Sequence, residues 1–598
     1  MLSDKNILWI FTFEYAGIVK FGGLGEVPAN QAKQLVESFN VTVFLPSHGQ
    51  LERLKQSLEY KKLSFTCIGL INPSDFGSMG PESSYCISFY KFKIDKVNVI
   101  ILSGENTFTA KFLDDKTVYN PDTIRGKICL FSLGIKCLIQ YLIDKNRKKL
   151  PNVIHLHDYH VVLPFISIKQ ALTKNGYDVA SIITIHLLTW PRFDLNFYKV
   201  CGIDNTPIKV RLLSGLKALT LTEIFTLDNT IEKTPSVEKI GAIICDMVTT
   251  VSESYLISDI IPNCGQNLIE FKSDFVWDGC DWEYDKILNN VIQTLGNEIY
   301  DVLNIPYDTV IKREDFKKFL LKYKIEHLSE SPFISSQKVL QTINDISDGI
   351  TFFKNGEIKA FSEIGPLMIT TGRISPQKGF DTIFFSLPEI FKAVPDAKFL
   401  FLILPTDYSL NEIRLYADYA KKYPENIKII FGVAPDIFYL AHIAADVYCA
   451  LSRWEPFGIM ALEAMATKIP IIASKVGGLQ ETIIDMRMYP EIGTGILIEK
   501  ENSPQFANAL ISLFKAADVA RRVKDSETHT IYDAEILKVV NQIPDEIIKS
   551  RVLLNPNYYN IIRENCIKRV KNHFTWKIVS KKLITLYAEI QKIHFINQ

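Results

Sequence analysis

The 598-residue sequence carries no net charge, since 67 Lys and Arg balance 67 Asp and Glu. Without a basic excess, neither a nucleic acid nor an anionic membrane surface is called for as a partner. Apolar runs stay well short of the ~20 residues that a membrane-crossing helix needs. The apolar opening Ile7–Phe13 ends at Glu14 and follows only Lys5, which makes a poor signal peptide. The ten cysteines include no C-x-x-C pair and no Cys/His set at zinc spacing. They read as reduced core residues, and the expected setting is the cytoplasm. Low-complexity tracts are absent as well. What remains, 47% hydrophobic and 22% charged residues, is a globular composition. The length calls for several domains.

Residues 6–15 (NILWIFTFEY) read as a buried strand and Val41–Leu45 as the next, with a helix over about Glu26–Glu37 between them. This is a βαβ opening. Its first loop holds Lys20-Phe21-Gly22-Gly23-Leu24-Gly25. Glycines there let backbone amides approach a phosphate, and Lys20 adds a mobile charge. A plain tight turn explains the glycines equally well. A helix follows around Lys127–Ile143, and then Val153–His160 (VIHLHDYH) reads as a strand with a histidine-rich tip. In an extended strand His155 and His157 share a face while His160 lies beyond the turn. Asp158 is the sole acidic neighbour, which argues against a metal site. A second histidine strand, Ser181–His186, leaves His186 readable as core.

The second half is the clearer α/β pattern. Strands at Leu367–Thr371, Lys398–Leu404, Ile427–Phe431, Asp446–Leu451, Pro470–Ala473 and Gly495–Ile498 alternate with helical segments. That is a doubly wound arrangement, which binds ligands at the carboxyl ends of its strands. The first of these strands feeds Gly372-Arg373 and, five residues on, Lys378-Gly379. A planar guanidinium and a point-charge ammonium in one loop suit a diphosphate, although two cations on a surface loop are common. The fourth strand feeds a polar turn, Arg453–Phe457, and a helix from Gly458. Glu455 lies in the turn and Glu463 about two helical turns on, so each can meet a different part of a long ligand. The amides of Phe457–Ile459 would face an anion. A salt-bridged loop with an exposed helix glutamate is the plain alternative. After the fifth strand, the Gly477-Gly478 pair can bring amides to the same place.

Taken in order, Lys20-x-Gly22-Gly23-Leu24, His157-Asp158, Arg373-x4-Lys378-Gly379, Glu455-x7-Glu463 and Gly477-Gly478 resemble the motifs of retaining glycosyltransferases of the GT-B fold. The first resembles the fingerprint of glycogen and starch synthases in particular. The resemblance covers about residues 1–285, 366–520 and the final thirty. It implies an α/β protein of two doubly wound Rossmann-like domains facing a cleft. Residues 1–270 would form the acceptor-side domain and 271–575 the nucleotide-sugar domain, with an insertion near 525–556. Residues 576–598 would form a helix crossing back to the first domain.

By the same resemblance, Glu455 contacts the donor sugar and Glu463 the nucleoside ribose, while Arg373 and Lys378 bind the diphosphate. His157 would hydrogen-bond the donor glucose. Lys20, Gly22, Gly23, Asp158, Phe457, Gly458, Gly477 and Gly478 would line the substrates. Departures from the family pattern are Glu26 for Asp, Tyr159 for Trp, Leu187 for Asn and Asp278 for Asn. The implied function is a glycogen (starch) synthase. It would move glucose from ADP-glucose or UDP-glucose to the non-reducing end of an α-1,4-glucan with retention, using no cofactor and no metal. The intact Glu455-x7-Glu463 with Phe457-Gly458 also resembles sucrose-, trehalose- and mannose-forming relatives, and the mixture resembles an archaeal-type branch. A catalytically silent glucan-binding protein is a third reading, opposed by intact Lys20, Arg373, Lys378 and both glutamates. The pattern assigns no oligomeric state.

Overall fold

The computed structural model describes residues 5–77, 80–227, 234–347, 358–525 and 534–595. The chain divides into two compact units, Met1–Gly279 with Trp576–Gln598, and Cys280–Thr575.

Unit 1 contains β1 (Ile7–Phe11), β2 (Asn40–Pro46), β3 (Tyr60–Ile71), β4 (Ser83–Ile94), β5 (Val97–Gly104), β6 (Val153–His157), β7 (Ala180–Ile185), β8 (Ile208–Leu212), β9 (Gly215–Leu219), β10 (Met247–Thr250) and β11 (Ser273–Phe275). Nine of them form one sheet in the order β11-β10-β7-β6-β1-β2-β5-β4-β3, and β8 pairs with β9 in a separate hairpin. Pairing is parallel from β11 through β5 and antiparallel at β5–β4 and β4–β3. Strand order runs outward in both directions from β1, so β1 and β6 make the topological switch. Both faces of the central strands are covered: every residue of β6 and β7 is buried.

The helix Ile124–Lys145, whose most apolar 18 residues have a mean hydropathy of 1.5, is long and apolar enough to cross a membrane by length and composition alone. It is instead a core element: Phe131 packs edge-on to Phe11 and Phe13. Lys127, which breaks the apolar run in the sequence, is itself fully buried. Its ammonium donates to the carbonyls of Asp115, Thr117 and Val118 at 2.9–3.3 Å and faces His48 Nδ1 at 3.2 Å.

The final helix, Trp576–Phe595, completes unit 1. Leu583, Leu586, Tyr587 and Ile590 share a core cluster with Leu8, Ile10, Val41 and Ile182. The Tyr587 hydroxyl meets His155 Nδ1 at 2.7 Å, Lys582 pairs with Asp274 at 2.7 Å, and His594 sits between Asp178 and Asp246 at 3.0 and 3.1 Å.

Unit 2 contains β12 (Leu367–Arg373), β13 (Lys398–Leu404), β14 (Ile427–Phe431), β15 (Val447–Ala450), β16 (Ile471–Ser474) and β17 (Gly495–Ile498). They form one sheet, ordered β14-β13-β12-β15-β16-β17 and parallel throughout. Its switch falls between β12 and β15. Helices Tyr284–Leu303, Arg313–Lys322 and Gln337–Ile346 occupy the polar stretch that precedes it. The segment read as an insertion carries helices Ala534–Asn541 and Glu546–Leu554, and its residues 526–533 lie outside the described ones.

The amino end of the β12/β15 pair is locked by Asp446. Its carboxylate accepts the Leu367 amide at 2.7 Å and pairs with Lys317 at 2.9 Å and Arg313 at 3.0 Å. Burial alone would raise the carboxyl pKa, but Lys317 and Arg313 hold it down at about 2. Replacing the carboxylate leaves two buried cations uncompensated, so Asp446→Asn is expected to cost ~3–5 kcal/mol in denaturant titrations. The wild-type contribution is fully present above the unfolded-state value of ~3.9 and is lost as pH falls through the folded one. A variant with unchanged stability would show that the cluster is energetically idle.

Candidate active site

In unit 2, β12 and β15 pair at Met368↔Val447 and Ile369↔Tyr448, so their carboxyl-end loops emerge side by side. Arg373 closes β12, the loop after it carries Lys378, and the loop after β15 carries Glu455. Lys378 Nζ donates to Glu455 Oε2 at 2.6 Å, and Ser452 Oγ donates to the same oxygen at 3.0 Å. The side chains are only 16% and 10% exposed, so the pair is partly shielded from solvent. Gly379 permits the approach: its φ is +61°, and a Cβ there would lie 2.1 Å from the Leu451 carbonyl. Arg453, which the motif reading passed over, clamps the two loops. It pairs with Asp381 and Glu501 at 2.6 Å each, and its amide donates to Gln377 O at 2.7 Å. An arginine inside the conspicuous turn was the available signal.

The Gly477-Gly478 pair does something the sequence did not reveal. A Cβ on Gly477 would stand 1.8 Å from Glu455 O, and one on Gly478 would stand 2.4 Å from Phe457 Cα. The Gly478 amide donates to Glu455 O at 3.1 Å. This amide is therefore spent on seating the loop after β16 against the Glu455–Phe457 turn, rather than left open to a phosphate. Phe457 is also not a surface contact, since its ring is buried beside Phe574. Gly458, at φ +97°, begins the helix Ile459–Ala466, whose first turn has no capping side chain. Glu463 is half-buried on that helix. Burial, and then the charges of Glu463 and Glu455, raise the pKa of Tyr448. Both glutamates are thus near enough to Tyr448 for their charges to act on it.

In unit 1, β1 and β6 are parallel neighbours from Leu8↔Val153 to Phe11↔Leu156, so the Lys20 loop and the His157 loop leave the same sheet end. The Lys20 loop is organised by a residue the sequence reading missed, Glu14. It is 2% exposed, and its Oε2 accepts the amides of Phe21 at 2.6 Å and Gly22 at 3.1 Å. Its Oε1 accepts the Tyr119 hydroxyl at 2.6 Å. Two of the amides expected to face a phosphate are thus held by a carboxylate from within. A glutamate closing an apolar strand must find donors when buried, and that was the signal. Lys20 Nζ pairs with Glu26 at 2.6 Å, and Gly23 opens the short turn Gly23–Gly25.

The histidine tip is a buried hydrogen-bonded layer. His155 bonds Tyr587 through Nδ1 and Thr184 through Nε2, both at 2.7 Å. His157 Nδ1 meets His186 Nε2 at 2.9 Å, whereas His157 Nε2 has no partner among the described residues. His160 stacks between Phe13 and Tyr159. Burial lowers the pKa of His157 well below the ordinary value and that of His186 to about 3, so both rings are neutral. Asp158, at φ +60°, accepts the His186 amide at 2.7 Å. Burial lifts its pKa to about 8, with the charges of Glu238 and Glu14 adding to the rise. Among the described residues no group of three or more His, Cys, Asp or Glu is placed to hold a metal ion.

Residues 6–266 match the profile described as the starch synthase catalytic domain, and residues 353–529 match that of group 1 glycosyl transferases. A glycogen synthase of Clostridium kluyveri is 25% identical over 528 residues, 85% of this chain and 89% of the relative. A probable glycogen synthase of Methanocaldococcus jannaschii is 33% identical over 241 residues, 40% of this chain and 43% of the relative. The catalytic domain of starch synthase IV from Arabidopsis thaliana, solved bound to ADP and acarbose, superposes with a TM-score of 0.64 at 16% identity. That likeness spans 99% of this chain and 100% of the other, and it shows the fold.

Two measurements test this geometry. Gly477→Ala meets a carbonyl at a backbone conformation that alanine disfavours. It is expected to destabilise the protein by more than ~1 kcal/mol, and a neutral substitution would contradict the loop seating. For Asp158, the folded protein holds a proton that the unfolded chain releases near pH ~4. Stability should therefore fall as pH rises from about 4 to about 8, by up to ~1.4 kcal/mol per pH unit. Asp158→Asn should remove that slope, and identical wild-type and variant slopes would mean that Asp158 is ionised.

Proposed function

Because the chain belongs to the glycogen/starch synthase family of GT-B glycosyltransferases, we propose that it transfers glucose from ADP-glucose or UDP-glucose to the non-reducing end of an α-1,4-glucan with retention. The single observation that carries the reading is the shielded Lys378–Glu455 pair, which joins the loops after β12 and β15 beside Arg373, the last residue of β12, at the switch of unit 2. A nucleotide sugar must lose a diphosphate, and the charge that develops there is offset by cations already in place. Arg373 supplies a fork and Lys378 a point charge. The uncapped first turn of the helix Ile459–Ala466 adds backbone donors for the same anion.

At rest Lys378 is held by Glu455. A diphosphate competes for the ammonium, and Glu455 is then released to accept hydroxyl hydrogen bonds from the donor sugar. Glu463 takes the ribose. His157, neutral and with one ring nitrogen unpaired, hydrogen-bonds glucose without adding charge beside an oxocarbenium-like centre. In unit 1, Lys20 and the Gly22-Gly23 turn are assigned to substrate binding at the carboxyl end of β1. Unlike glycosidases with a carboxylate nucleophile, the reaction is assigned a same-face course in which the leaving phosphate accepts the acceptor's proton.

The test is incorporation of labelled glucose into glycogen from ADP-glucose and UDP-glucose in parallel. Wild-type enzyme should build polymer from at least one donor. Lys378→Ala should lower the rate by about 10²-fold or more, the loss typical for one preorganised charge-stabilising group. Turnover with a small acceptor alone would overturn the glucan assignment, and no turnover with any acceptor would overturn the enzymatic one.

A further inference from the structure

Trp190 has no part in the chemistry described so far, yet the structure holds it firmly in an unusual state. The residue is 49% exposed and its backbone lies at φ +52°, a region that bulky L-residues rarely occupy. The conformation is imposed from below by Glu238, a fully buried carboxylate in the first turn of the helix Val237–Ile244. Glu238 Oε1 accepts the amide and hydroxyl of Thr189, each at 3.1 Å, and the amide of Trp190 at 3.0 Å. The flanks are pinned too. The Leu188 amide donates to the Tyr255 hydroxyl at 3.0 Å, and Pro191 O accepts the Val237 amide at 2.9 Å. Arg192 Nη1 donates to Thr234 O at 2.7 Å.

A tryptophan is ordinarily a core or anchoring residue because its rings carry a large apolar area. Here a buried carboxylate and a strained backbone serve to keep an indole in solvent. Backbone strain that surrounding structure over-determines is typical of ligand-binding positions. The location fits: the loop follows β7, which pairs with β6 through His157↔Thr184, so it starts at the sheet end where His157 and Asp158 lie. A rigid, exposed, flat ring with a polar N–H edge matches a sugar ring, which presents an apolar C–H face and hydroxyl edges.

We propose that Trp190 is a stacking platform for a glucosyl unit of the α-glucan acceptor, with Glu238 as its positioning residue. The inference rests on the function proposed above and adds the residue that grips the polymer. Because the indole is exposed, Trp190→Ala leaves the core intact. It is expected to raise KM for malto-oligosaccharides about tenfold, the effect of losing one stacking contact. KM for the nucleotide sugar should stay unchanged, and Trp190→Phe should recover most of the loss. Maltoheptaose binding, followed by calorimetry without donor, should weaken in parallel.

If wild-type enzyme elongates glucans and Trp190→Ala leaves their KM unchanged, the Trp190 assignment falls while the functional reading stands. If wild-type enzyme elongates no glucan, the functional reading falls. Calorimetry then decides the platform alone: binding weakened in Trp190→Ala supports it, and equal or absent binding in wild type and variant overturns it.

Discussion

A parallel sheet whose strand order runs both ways from a central strand must part its loops at that strand, because right-handed crossovers carry successive helices to opposite faces. Both units obey this constraint, at β1/β6 and at β12/β15. The residues singled out for chemistry gather where it acts. Arg373, Lys378 and Glu455 stand at the strand ends and loops of the second switch, and the Lys20 turn and His157-Asp158 at those of the first. Gly477 and Gly478 follow the next strand outward and reach the switch only by lying directly on Glu455 and Phe457.

A second device recurs, the buried carboxylate that collects backbone amides. Asp446 accepts Leu367 N and Asp246 accepts Ser181 N, each at the start of a strand. Glu14 accepts Phe21 N and Gly22 N, and Glu238 accepts Thr189 N and Trp190 N, each beneath a loop at the opposite end. Charge-assisted bonds of this kind are strong and directional. They fix loops that lack regular secondary structure. Asp158 is a variant of the same device: burial keeps a proton on it to about pH 8, so it accepts the His186 amide largely as a neutral acid.

Much of this was legible in the sequence, for physical reasons. Strands Lys398–Leu404, Ile427–Phe431 and Gly495–Ile498 fall where their apolar runs predict, because central parallel strands are buried on both faces. Arg373, Lys378 and Glu455 sit at or just beyond strand ends, and Glu463 on the helix that follows, as their neighbouring patterns require. What escaped was long-range. The apolar run from Ile7 overshoots its strand because the chain bends at Phe13, and Glu14 beyond it is buried. The helix that holds Lys127 was legible, but not the burial of its ammonium, because its partners lie on a separate loop. The histidine tip looks ambiguous until Tyr587, 432 residues away, bonds to His155. The glycine pair reads as a phosphate cradle because no local pattern announces that Glu455 will lie against it.

The helix Trp576–Phe595 also has a consequence for biosynthesis. Its Leu583, Leu586, Tyr587 and Ile590 are integral to a core whose other members, Leu8, Ile10 and Val41 among them, come from strands that precede unit 2 in the chain. On the ribosome unit 1 therefore waits with an apolar face open while all of unit 2 is translated, and it closes only when the helix Trp576–Phe595 emerges. The unit begun earlier is finished later. A ribosome that stalls late releases a chain whose second unit is whole and whose first is still sticky, the kind of client that holding chaperones and proteases are built to intercept.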